Sequence, residues 1–73
     1  MNDTSNNQAE KLRNIADELE MAAKHARIAA DHFKSGAVPR GCALTLGTEG
    51  HVHFATDLLK AVALAHKEKA GLL

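Results

Sequence analysis

An all-α fold, an antiparallel two-helix hairpin that self-associates into a four-helix bundle, follows from three observations. Apolar residues recur with helical period along two long stretches. One short break separates the stretches, and it carries Gly36 and Pro39, residue types that close and open helices. The 73 residues hold only two aromatics, both Phe, whereas a sheet favours aromatic and β-branched side chains.

Taken in order, residues 1–7 are polar and Asn-rich and are expected to form a disordered tail. Asn7 with Glu10, or Ser5 with Gln8, makes a capping box that starts a helix over residues 8–34. Leu12, Ile15, Ala16, Leu19, Ala22, Ala23, Ala26, Ala30 and Phe33 share one face of it. Glu10, Asp17, Glu18 and Glu20 occupy its first half; Lys24, Arg27 and Lys34 occupy its second. That asymmetry complements the helix dipole, and Glu20 with Lys24 is a well-oriented pair four residues apart. The second half adds another stripe of Met21, His25, Ile28 and His32. We read this stripe as a contact with a second copy; the plainer reading is that Met21 and Ile28 are ordinary exposed apolar residues.

Residues 35–38 form the turn, and a connection this short makes the helices antiparallel neighbours. The second helix is expected over residues 39–70. Pro39 suits a first helical position, and Lys67, Lys69 and Gly71 suit a C-terminal end. On a helical wheel centred on His51, the residues Leu44, Gly47, Ala55, Leu58, Val62 and Ala65 fall within about 40°. Ala43, Phe54, Leu59 and Ala61 widen that arc beyond what one partner helix covers. Gly41, Gly47 and Gly50 each cost about 1 kcal/mol relative to Ala in a helix. They mark either a break or a place where another backbone or a ligand comes close. The register runs from Leu44 to Val62 without a shift, which favours a continuous helix. In the hairpin, Ala26 then lies level with Thr48, Ala23 with His51, Leu19 with Ala55, and Leu12 with Val62.

Composition limits the function. Nine basic and nine acidic residues cancel, so the surplus of positive charge expected of a nucleic-acid binder is missing. No secretory leader is visible at the start and no uncharged run approaches the ~20 residues of a bilayer span. The single cysteine excludes an internal disulfide and fits a cytoplasmic protein. Residues 8–73 are expected to form one domain. A core this small supplies only ~3–5 kcal/mol, so association with itself, first as a dimer, is the simplest route to a stable fold. The expected interface takes Met21, His25, Ile28, His32 and Phe33 from the first helix. From the second it takes Leu44, Leu46, Phe54, Leu58 and Val62. On this reading Phe54→Asp dissociates or unfolds the assembly, because it buries an unpaired charge.

Three groups of residues are candidates for chemistry. His25, His32 and His51 are metal-ligand candidates across subunits, since His25 and His51 come out nearly level and His32 follows His25 by a heptad. His51 and His53 point to opposite sides of a helix, so they cannot share an ion. The simpler reading makes His51 a core histidine, for which His51→Leu is tolerated. Cys42 sits in the first turn of the second helix near Arg40, where a thiolate is favoured, with His32 roughly level. The simpler reading makes it a small apolar filler. Arg40, Gly41 and Cys42 also form a candidate site for a small anion or a nucleotide at a helix start, although a Pro-Arg-Gly helix start is ordinary turn chemistry. No Walker loop, dinucleotide fingerprint or HExxH motif is present.

The plan resembles small self-associating helical hairpins such as plasmid-copy-control four-helix dimers and phage-encoded nucleotide sponges. The resemblance is of architecture, and no motif carries it, so no residue role is transferred. The expected function is that of a non-enzymatic homo-oligomer acting by binding, as an adaptor, a regulator or a sequestering protein. The alternatives are a metal-binding bundle using interface histidines and an anion or nucleotide binder at the start of the second helix; besides itself, the chain is expected to take a protein partner or a small anionic ligand.

Overall fold

The computed structural model describes residues 3–69 and 71. Two helices make up almost all of it: α1, Asp3–Lys34, and α2, Val38–Lys69. They are joined by residues 35–37, and the described residues include no strand. α1 therefore begins at Asp3 rather than at residue 8, and the expected tail is helical from there on. Residues 3–7 contain neither Pro nor Gly, and extending a nucleated helix adds a hydrogen bond for each residue fixed. α2 begins one residue before Pro39. Residues 1 and 2 of the expected tail, and residues 70, 72 and 73, lie outside the described residues.

The turn is built by Gly36. Its φ is 85°, a left-handed conformation open to glycine at little cost. The Ala37 N–H reaches back to the His32 carbonyl at 2.8 Å and the Gly36 N–H to the Phe33 carbonyl at 3.1 Å. These two bonds are the Schellman pattern that satisfies carbonyls left over at a helix end. Ser35 Oγ also donates to the His32 carbonyl, at 3.0 Å. The Gly41 N–H then donates to the Ala37 carbonyl at 3.0 Å, which opens α2. Pro39 thus sits in the first turn, where an absent N–H breaks no helical bond. α2 runs unbroken through Gly47 and Gly50. Thr45 and Thr48 direct their hydroxyls to the carbonyls of Gly41 and Leu44, both at 2.8 Å, so neither offers a free hydroxyl.

The contact between the helices is a heptad seam. On α1 the buried residues are Ile15, Ala22 and Ala29, seven apart. On α2 they are Gly41, Ala55 and Val62, with Thr48 half-buried in the same phase. Between them lie half-buried Glu18, His25 and His32 on α1, and Leu44, His51 and Leu58 on α2. Alternate steps of three and four residues keep one narrow stripe of each helix facing the other. Ile15, Ala55 and Val62 form the core cluster, with Leu58 against it.

This seam differs from the expected one. Of the expected face, Ile15 and Ala22 do face α2, joined by Ala29, whereas Leu12 and Leu19 are exposed and Phe33, though 44% exposed, lays its ring on Gly41. Ile15, not Leu12 or Leu19, meets Ala55 and Val62. The reason is steric. Alanine and glycine allow two backbones to approach closely, and the larger residues flank that line rather than occupy it.

The product is a slab one helix thick, 51 × 25 × 12 Å across its principal axes. Its radius of gyration is 16.4 Å, against ~11 Å for a compact domain of this length. A slab this thin has two broad faces and encloses little between them.

Candidate functional site

Two features stand out: a polar layer inside the seam and, outside it, a face that is uncharged along α1. The polar layer contains Glu18, His25 and His51. His51 Nδ1 lies 2.5 Å from Glu18 Oε2. The carboxylate accepts, so the proton of this bond resides on Nδ1. Both side chains keep about a third of their surface in water, at 27% and 30%. The His25 ring stands tilted against His51 with centroids 5.0 Å apart. His25 Nδ1 is buried with no hydrogen-bond partner, and a Cβ added to Gly47 would lie 3.8 Å from it. Gly47 thus faces the His25 ring, at a distance where a methyl group would make ordinary contact.

The expected closeness of His25 and His51 is observed. Their neighbour Glu18 was read only as part of the acidic first half of α1. The signal for it was present: Glu18 precedes His25 by one heptad and so shares its phase. His32 follows His25 by the same step, about 10 Å farther along the axis. His25, His32 and His51 therefore do not converge within one hairpin, and Glu18 occupies the His51 nitrogen nearest to it. Among the described residues no group of three or more His, Cys, Asp or Glu side chains is placed to hold a metal ion. His53, as expected, points away from His51; it lies 3.5 Å from Asp57 on the exposed side.

At the helix start of Arg40, Gly41 and Cys42, Gly41 has no free N–H to offer an anion. Gly41 is buried, its N–H is bonded to Ala37, and the Phe33 ring covers it. A Cβ at position 41 would come within 2.8–2.9 Å of that ring. Gly41 serves close packing of Phe33 across the hairpin. Arg40 and Cys42 are exposed, so Cys42 is not the apolar filler of the simpler reading.

The residues expected at an oligomer interface divide into several groups. Val62 is 3% exposed and belongs to the intramolecular core, which corrects its assignment to a surface. His25, His32, Leu44 and Leu58 are half-buried along the seam. Met21, Ile28 and Phe54 lie on one broad side of the slab, and Leu46 projects from its outer edge at 69% exposure. Phe33 lies on the opposite broad side.

That opposite side is the face that is uncharged along α1, with Glu49 of α2 at its groove. Ala26, Ala29, Ala30 and Phe33 of α1 line a groove of about 420 Å³ with Thr45, Thr48 and Glu49 of α2. The groove shows which flank of each helix shares this side. Carried along α1 by heptad steps, it is the stripe Ala9, Leu12, Ala16, Leu19, Ala23, Ala26, Ala30 and Phe33, with no charged residue. Carried along α2 from Thr45, it reaches Val52 and Leu59. Leu12, Leu19, Phe33, Val52 and Leu59 are each 43–49% exposed. The groove is shallow and open, unlike small-molecule pockets, which enclose most of their ligand.

Among the described residues, no helix is long and apolar enough to cross a membrane. The chain matches no protein-family model, no curated protein and no solved structure.

Proposed function

We propose that this chain is a non-enzymatic binding protein that works as a homo-oligomer, with two hairpins joined into a four-helix bundle through the uncharged face. The observation that carries the reading is surface area. The hairpin exposes 5456 Å², whereas a compact chain of its 7.8 kDa exposes about 4,400 Å². The excess of ~1,000 Å² per chain exceeds the ~800 Å² that each partner contributes to an ordinary stable interface. The excess has somewhere to go, because the α1 stripe has no charge to desolvate.

Binding rather than catalysis fits the polar groups. Glu18 and His51, a close polar pair across the hairpin, share a hydrogen bond inside the seam. Within one hairpin His32 lies apart from His25 and His51, so the three histidines hold no metal without a second copy, and Gly41 of the anion reading is covered by the Phe33 ring.

Native mass spectrometry and light scattering on protein purified without chelator test the proposal. The expected species is a dimer at the bare polypeptide mass. A monomer at tens of micromolar overturns the homo-oligomer, at concentrations where an interface worth about 8 kcal/mol would be filled. A stoichiometric metal or a ligand of a few hundred daltons in the complex overturns the reading of bare self-association.

A further inference from the structure

The self-association proposed above leaves open which surfaces meet and in what register. We infer that the occupant of the uncharged face is the same face of a second copy, with α1 running antiparallel to the partner's α1 about a two-fold axis near the level of Met21. The inference rests on the alternation of size along the stripe. Leu12, Leu19 and Phe33, the large residues, share one row with Ala26, and the other row, Ala9, Ala16, Ala23 and Ala30, is all alanine.

Rows of this kind are self-complementary when reversed. In one antiparallel register every member of the first row lies opposite a member of the second. Leu12 faces the partner's Ala30, Leu19 the partner's Ala23, and Phe33 the partner's Ala9. Each large side chain enters the space left by an alanine, which is how closely packed helices interdigitate. By two-fold symmetry the fit is made twice. The partner's Leu12 then enters the groove beside Ala26, Ala30 and Phe33, which otherwise stands open.

The alternative pairing, α1 on the partner's α2, is less favourable. The corresponding stripe of α2 carries Thr45, Glu49 and Thr56. Laying the leucines of α1 there would press apolar side chains on the Glu49 carboxylate and strip water from it. The opposite broad side of the slab is also a poorer match to itself, since Asp17, Lys24 and Asp31 edge it.

Site-directed cross-linking tests the register. Cys42 is exposed and is first replaced, Cys42→Ser, so that it does not react. Leu19→Cys and Ala23→Cys are then made separately in that background, mixed, and oxidised under conditions where the parent is dimeric. The mixed 19–23 disulfide is expected to form at least ~10-fold faster than either self-disulfide, because only the mixed pair falls inside the Cα separation a disulfide spans. Circular dichroism on each variant checks that the helices persist. Dimeric protein with no preference for the mixed disulfide overturns the register while self-association stands. Dimeric protein that instead links through Phe54→Cys places the contact on the other broad side and overturns the face. Monomeric parent protein overturns both this inference and the reading it rests on.

Discussion

Single residues divide by what surrounds them, and the glycines of α2 show it most clearly. A Cβ at Gly50 would meet nothing within 4 Å, whereas a Cβ at Gly41 would strike the Phe33 ring. Gly50→Ala should therefore stabilise the protein by up to about 1 kcal/mol, the helix-propensity gain alone. Gly41→Ala should forfeit that gain because the ring must leave its place. Urea denaturation of the two variants side by side checks the contrast; equal stabilisation would show that Phe33 does not need the space. The Glu18–His51 bond makes a second prediction. A double-mutant cycle with Glu18→Ala and His51→Ala should return a coupling of about 0.5–1.5 kcal/mol, the range of a partly exposed hydrogen bond. His51→Leu consequently loses a polar partner as well as gaining apolar area. A coupling near zero would mean that the two side chains face water independently.

At the scale of elements, the turn determines whether the helices pair in register. Gly36 holds a positive φ, and both carbonyls that end α1 depend on the chain reversing there. Gly36→Ala should cost about 1–2 kcal/mol, the penalty of a Cβ in the left-handed region, while leaving helix content in the folded state unchanged. Thermal unfolding followed at 222 nm reads both quantities. A variant as stable as the parent would show that the turn adopts another conformation without cost. The seam itself is narrow. Three of the five apolar residues buried in it are alanines, and alanine contributes little transfer energy when buried. A hairpin held this lightly gains most of its further stability from whatever covers its faces.

For the whole molecule, the two broad sides respond differently to charge. Leu19→Asp places a carboxylate in the middle of the uncharged stripe and should reduce dimer affinity by at least ~100-fold, a loss of about 3 kcal/mol for an unpaired buried charge. Phe54→Asp should leave the dimer intact, since Phe54 is 56% exposed on the other side. This reverses the expectation drawn from the helical wheel, where Phe54 lay within the apolar arc. Sedimentation velocity over a concentration series checks both variants. Dissociation by Phe54→Asp with Leu19→Asp harmless would exchange the roles of the two sides. An interface centred on the uncharged α1 stripe should also keep its affinity in high salt, where one built on ion pairs would weaken as screening lengths shorten.

Much of this was legible in the order of residues. Helical period, the Gly36–Pro39 break and the small number of aromatics are local properties, and local hydrogen bonding and sterics act on them directly; two helices and their antiparallel pairing follow. The level placement of His25 and His51 follows as well, because a short turn leaves the helices little freedom to slide. The choice between neighbouring stripes of α1 was not legible. Leu12, Leu19 and Phe33 stand beside Ile15, Ala22 and Ala29 on the wheel, and hydrophobicity alone favours the larger set for the seam. Only the tertiary structure decided that the small set lies between the helices and that Glu18 joins the histidines there. The physical reason is that packing depends on the distance between two backbones, which a single helix does not specify: alanine and glycine let α1 and α2 close on each other, and that closeness leaves the leucines outside.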